Sequence, residues 1–270
     1  MTATPPSAVR VTLALLGASR GRSLSVPALV GCGELLGVSS NATRVALSRL
    51  ASSGDVVAED RGHYALSDAR LRAFSHVRTF RSGFAARVPW RGGFLGVLTA
   101  DLPRRNAALV RRREQALALV GMRAHRHGLH VRPDNLEGGR VVVAAHLLRL
   151  GLDDEAMVIG VTLDTAQLRE VERRYDVRAD AARATGLETK VRKLLAGRSR
   201  RPKRELAVAC FFLGDEVLRF LARDPLLPES MADPAPRSAL AEAMSTLDEE
   251  GHALWRGLMD EMERARGKKR

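Results

Sequence analysis

Asn41, Thr43, Arg44 and Ser48 are three short polar side chains and one long cation, spaced to share one face of a helix, with Ser40 at its head. Groups of these types hydrogen-bond base edges in a major groove, where an arginine can offer two N–H donors to one guanine. Arg49 at the end of the stretch, and Arg61 and His63 beyond it, could hold phosphate oxygens. The chemistry open to these residues is recognition of double-stranded DNA.

Such a face needs a helix presented on a rigid support. Residues 39–50 supply one, with the Ser39 and Ser40 hydroxyls to cap its first turn and Ala42, Val45, Ala46 and Leu50 recurring toward a small core. Upstream, residues 25–37 read as a second helix, capped by Ser25, with Pro27 in its first turn and Gly37 at its end. The two helices and the tight turn between them make a helix-turn-helix. Val9 to Leu16 is apolar enough to be a supporting first helix. Downstream, Val56 to Ala58 and His63 to Leu66 flank the turn Glu59-Asp-Arg-Gly62, which predicts a hairpin, a wing tipped by Arg61.

The bulk properties agree. The chain has 270 residues and 45% hydrophobic content, enough for two or three packed domains. Its 44 Lys and Arg against 31 Asp and Glu leave a net charge of +13, which favours polyanionic partners. Cys32 and Cys210 are too few and too far apart for a disulfide framework or a zinc site. No signal peptide or membrane-length apolar run is visible, so a soluble, cytoplasmic protein is expected.

Four segments emerge: a winged helix over 1–68, a linker or connecting helix over 69–89, a central domain over 90–164 and a helical domain over 165–270. The linker is basic, with Arg70, Arg72, His76, Arg78, Arg81 and Arg87. In the centre, strand (93–100), helix (104–120), two short strands (122–131), helix (136–150) and strand (156–163) follow one another. That order predicts a split βαβ, ferredoxin-like fold, and the overall class is α+β. The helix over 104–120 would turn Ala108, Leu109, Ala116, Leu117 and Val120 inward. One face of the sheet would be covered by helices and the other left for a partner subunit. Helices follow at 165–175, 179–195, 202–222 and 240–264.

The chain resembles the PaaX-type transcriptional repressors, which control phenylacetic acid degradation in bacteria. The resemblance rests on Thr43 to Leu50 followed by Gly54, the segment Arg61 to Ser67, Trp90 leading into Gly93 to Pro103, and Asp215 to Ser230 with its Arg223-Asp-Pro-Leu-Leu-Pro228 run. It implies a homodimeric repressor of three parts, the central one similar to CRISPR-associated ferredoxin-like endoribonucleases. It also implies an inverted-repeat operator released by an acyl-CoA thioester, phenylacetyl-CoA or a relative. Two-fold symmetry would put the paired recognition helices about 34 Å apart on one face of the duplex.

This chain departs from the family in the helical domain. Tyr175-Asp176-Val177 stands near a usual Trp-Asp-Leu, and Ala235-Pro236 where Trp-Pro is usual, in a chain only 4% aromatic. A phenyl ring favours an apolar, partly aromatic pocket, so the acyl group need not be phenylacetyl. Two clusters could meet the CoA phosphates: Arg104, Arg105, Arg111, Arg112 and Arg113, or Arg198, Arg200, Arg201, Lys203 and Arg204.

The same resemblance raises one alternative, a metal-dependent nuclease, because Asp101 sits near the end of the first central strand. No second acidic or His ligand accompanies it in that segment. His125, His127 and His130 alternate along the short strand pair and could bind a cation weakly, but no histidines show metal spacing on a helix. No catalytic residue, metal site or cofactor is therefore assigned, and a non-enzymatic role is expected.

Overall fold

The computed structural model describes residues 7–19, 21–60, 62–71 and 85–267. The chain is α+β, with two antiparallel sheets and long helices, and it divides into two compact units. The first comprises residues 1–78, 190–215 and 243–270, and the second residues 79–189 and 216–242.

In the first unit, α1 (Ala8–Ala18), α2 (Val26–Leu35) and α3 (Ser40–Ser52) pack on one another. Their ends follow from local chemistry. The Ser25 hydroxyl accepts from the Ala28 N–H at 3.2 Å and Ser39 from Ala42 at 3.3 Å, each satisfying a first-turn donor. Gly37, at φ +78°, takes the left-handed conformation that reverses the chain between α2 and α3. The sheet is β1 (Leu24–Ser25), β2 (Val56–Asp60) and β3 (His63–Leu66), in the order β1-β3-β2. The expected hairpin is present, with β2 two residues longer than its apolar run and bulged between Ala58 and Asp60. The two-residue strand β1 has no periodicity to betray it; it exists because β3 offers an edge, Leu24 lying opposite Tyr64.

The buried stripe of α3 is Thr43, Ala46, Leu47 and Leu50. Val45, expected inside, is 43% exposed, while Leu47 is 3% exposed. Residues 43, 46, 47 and 50 form a continuous stripe at helical period, and burying Leu47 is worth about 1.5–3 kcal/mol. The core of this unit joins Leu15, Leu16, Leu29 and Leu47 to Trp255, Leu258 and Met259 of the last helix.

The second unit holds the sheet of β4 (Phe94–Leu98), β5 (Arg123–Ala124), β6 (Leu129–Pro133) and β7 (Met157–Val161), with helices α4 (Ala107–Leu119) and α5 (Gly139–Leu150). The strand order is β5-β6-β4-β7, every neighbouring pair antiparallel. Asn106 caps α4 through Ala108 and Leu109 N–H groups. The helix therefore starts later than expected, and Ala108 and Leu109 stay exposed instead of turning inward. Leu95 and Val97 pack under Ala116, Leu117 and Val120 of α4 and Val143 and Leu147 of α5.

The opposite face was expected to be free. Instead Phe94 and Val131 pack with Val171, Tyr175 and Leu227, because α6 (Thr165–Glu172) and the segment before the last helix cover it. Three longer helices complete the chain: α7 (Val177–Ala196), α8 (Lys203–Leu221) and α9 (Ala235–Gly267), with a 3-10 turn at Arg198–Arg200. Each long helix contributes residues to both units. Among the described residues no helix is long and apolar enough to cross a membrane. Of the basic linker, Arg70 and Arg87 are described, whereas Arg72, His76, Arg78 and Arg81 lie outside the described residues.

Candidate nucleic-acid interface

Helix α3 presents Asn41, Arg44, Val45, Ser48 and Arg49 on its exposed side, with Ser40 half-buried at its first turn. These residues stand three and four apart, so their side chains form one strip over about two turns. Asn41, Arg44 and Ser48 thus share the face expected of them, and Arg49 flanks it near the helix C-terminus, where a cation also suits the dipole.

Thr43 does not join that face. It is 1% exposed, and its hydroxyl donates to the Ser39 carbonyl at 3.2 Å. A Cβ placed on Gly33 of α2 would lie 2.8 Å from Thr43 Oγ1, so Gly33 and Thr43 set how closely the two helices approach. Val45 takes the place on the strip instead, a branched apolar group of the kind that contacts a thymine methyl. Its small size and the alternation of polar and apolar residues in this helix hid the exchange.

The hairpin is tied to the end of α3 by Asp55. The Ser53 hydroxyl donates to Asp55 Oδ2 at 2.8 Å, Arg70 approaches Asp55 Oδ1 at 3.5 Å, and the Ser67 N–H donates to the Asp55 carbonyl at 3.0 Å. His63 is half-buried beside Gly62, with its Nδ1 buried and unpartnered among the described residues. Arg61, the expected wing tip, lies outside the described residues. Glu59 and Asp60 are exposed on β2 and place negative charge on that strand.

Of the first arginine cluster, Arg104, Arg105, Arg111 and Arg112 are exposed. Arg113 is buried and bidentate to Asp153 at 2.7 and 2.8 Å, with a further bond to the Pro103 carbonyl at 3.0 Å. That hydrogen bonding holds the Asp153 carboxyl below its ordinary range and makes Arg113 a structural tie. Every residue of the second cluster, Arg198, Arg200, Arg201, Lys203 and Arg204, is exposed.

Asp101 is exposed in the turn after β4. The ring of His125 faces Glu170 at 3.9 Å, that of His130 faces Glu114 at 3.8 Å, and His127 sits in the turn at φ +50°. Among the described residues no three His, Cys, Asp or Glu side chains gather as metal ligands would. Cys32 and Cys210 are buried free thiols, and burial pushes them up to about 12 and about 11.

One polar cluster had no signal in residue spacing. Arg132 on β6 is fully buried, its guanidinium donating to the Val120, Pro133 and Pro225 carbonyls and to Asn135 Oδ1. The Asn135 side chain donates to the Leu226 carbonyl at 2.8 Å, and Tyr175 donates its hydroxyl to the Gly121 carbonyl at 3.0 Å. Burial lowers Arg132 to about 10 and raises Tyr175 to about 12. Gly121, at φ +79°, admits Pro225, whose Cα would stand 2.6 Å from any Cβ there. The cluster explains the Arg223 to Pro228 run: its backbone carbonyls are the acceptors that β6 requires. Tyr175 is thereby a packing and hydrogen-bonding residue of the sheet face, with Arg123 stacked over its ring.

Residues 7–70 match the family described as PaaX-like protein. No curated protein matches the chain. A solved structure, the uncharacterized protein Rv0674 from Mycobacterium tuberculosis, superposes over 95% of this chain and 99% of its own, with a TM-score of 0.59 and 18% sequence identity. At that identity the likeness is one of fold.

Proposed function

We infer that this chain, whose match over residues 7–70 supports its assignment to the PaaX-type transcriptional regulators, is a sequence-specific DNA-binding repressor that reads an operator with α3. The observation that carries the reading is the exposed strip of Asn41, Arg44, Val45 and Ser48. It stands on a helix whose other side is locked by Thr43, Ala46, Leu47 and Leu50. A rigid helix with a short polar face and one long guanidinium is what insertion into a major groove needs.

The surrounding architecture supports a winged helix. α2 and α3 meet through a tight glycine turn, and β2 and β3 form a hairpin beside them. In the second unit, the order β5-β6-β4-β7 is the order of a split βαβ, in which each βαβ unit has a strand inserted between its parallel pair. That supports a ferredoxin-like centre. In this reading Asn41, Arg44 and Ser48 contact bases, with Ser40 at the helix head, and Arg49, Arg61 and His63 contact phosphates.

The protein acts as a cytoplasmic homodimer on an inverted repeat upstream of genes for phenylacetate-like aromatic acids. An acyl-CoA thioester, phenylacetyl-CoA or a relative, binds and releases it, and the regulator performs no catalysis. The PaaX-type assignment supports each of these roles. Titrating the duplex upstream of its own coding sequence with wild-type protein and Arg44→Ala tests the reading. Loss of roughly 1–3 kcal/mol of specific binding is expected if Arg44 grips a guanine. Unchanged affinity together with unchanged sequence preference contradicts it.

A further inference from the structure

The second cationic cluster has a place in the fold that its sequence position does not suggest. Residues 190–215 belong to the same compact unit as α1, α2, α3 and the hairpin. Within residues 190–204 stand eight Lys and Arg side chains and no Asp or Glu. Arg198 reaches Glu250 at 3.9 Å, whereas Arg200, Arg201, Lys203 and Arg204 are exposed and form no ion pair among the described residues.

Contacts along α8 and α9 show which end of the unit this segment occupies. Gly214 lies by Met244 and Leu247, Cys210 by Gly251 and Phe211 by Trp255, so the two helices run antiparallel. Moving toward the N-terminus of α8 therefore means moving along α9 past Leu258 and beyond. There Asp260 binds Arg22 at 2.8 Å and Glu263 accepts the Ser25 N–H at 2.8 Å. Ser25 belongs to β1, which pairs with β3 of the hairpin at His63. The start of α8 thus points toward the end of α9 that holds Arg22 and Ser25, while Arg198 turns back along α9 to Glu250.

The placement of the cations at the start of α8 runs against the helix dipole. Lys203 and Arg204 lie in the first turn of α8, where the helix dipole disfavours positive charge, with Glu205 the acidic residue of that turn. A polyanion would offset that unfavourable placement.

We propose that the cationic turn Arg198 to Arg204 is a second contact surface for the phosphate backbone of duplex DNA, extending the footprint beyond the α3 face. The proposal rests on the DNA-binding reading above. Because phosphates carry no base information, the turn adds affinity and salt sensitivity equally on every sequence.

The test compares full-length wild type with the variant Arg200→Ala, Arg201→Ala, Lys203→Ala, Arg204→Ala. Each is titrated over a range of salt concentrations, on the duplex upstream of its own coding sequence and on an unrelated duplex. The affinity of the variant should fall on both by the same factor, on the order of tenfold or more, with a salt slope shallower by about 0.9 per lost phosphate contact. The charge-keeping variant Arg200→Lys, Arg201→Lys, Arg204→Lys should keep the wild-type slope. A pairwise Arg200→Ala, Arg201→Ala variant gives a smaller loss of the same kind and decides the matter if the fourfold variant melts early. Equal affinity and slope in wild type and the neutralised variants overturns the proposal, as does a loss confined to one sequence. Wild-type protein that binds neither duplex overturns the parent reading too, which distinguishes the two failures.

Discussion

Thr43 and Arg44 are adjacent, yet one faces the protein and the other the solvent. A helix turns 100° per residue, so neighbours diverge, and the small hydroxyl of Thr43 fits against Gly33 where a longer side chain would not. Arg44→Ala should therefore lower DNA affinity without moving the melting temperature. Gly33→Ala should do the reverse. Its new methyl meets Thr43 Oγ1 at 2.8 Å and should cost about 1–3 kcal/mol, read as a lower urea midpoint. If Gly33→Ala melts like wild type, the tight α2 to α3 contact does not carry stability. At this scale the sequence told which residue types were available but not which way each pointed. Val45 and Leu47 are both branched aliphatics two positions apart, and only packing against α1 and α2 decides between them.

Among the elements, β6 shows what patterning conceals. Arg132 follows His130 at the alternate, polar positions of the strand and would read as surface, yet it is fully buried and donates to the Val120 and Pro225 carbonyls. Arg132→Met should leave those acceptors unsatisfied and cost about 3 kcal/mol, measured by urea denaturation. A variant as stable as wild type would show that water satisfies them. Arg113 and Asp153 make a second tie, from α4 to the loop before β7.

Because Asp153 is held below its ordinary value, its contribution to stability is present above the normal carboxylate range and lost as pH falls through and below it. Urea midpoints taken from about pH 6 to about pH 3 should fall more steeply for wild type than for Asp153→Asn. Identical slopes would contradict that account. Helices α1 to α3, the hairpin and the strand and helix order of the second unit were legible because caps, glycines and hydrophobic periods are local signals. The strand β1, the late start of α4 and the covered second face of the sheet were not, since each depends on a partner distant in sequence.

At the scale of the whole molecule, the proposed function couples a ligand to DNA release. An acyl-CoA thioester that binds the folded protein at 100 times its dissociation constant should stabilise it by about 2.7 kcal/mol, seen as a raised melting temperature. The same thioester should lower operator affinity; a ligand that raises the melting temperature and leaves operator affinity unchanged would not be the inducer. The scarcity of aromatic residues makes a panel of acyl groups the right screen, with phenylacetyl one member among several. The central claim remains that α3 reads sequence. Selecting duplexes from a random pool with wild-type protein and with Arg44→Ala tests it most directly. The account predicts that wild type enriches an inverted repeat whose half-sites are about one helical turn apart or a multiple of it, and that Arg44→Ala loses the preference at one position in each half-site. Enrichment of the same sequence by both proteins, or of no sequence by wild type, would contradict it.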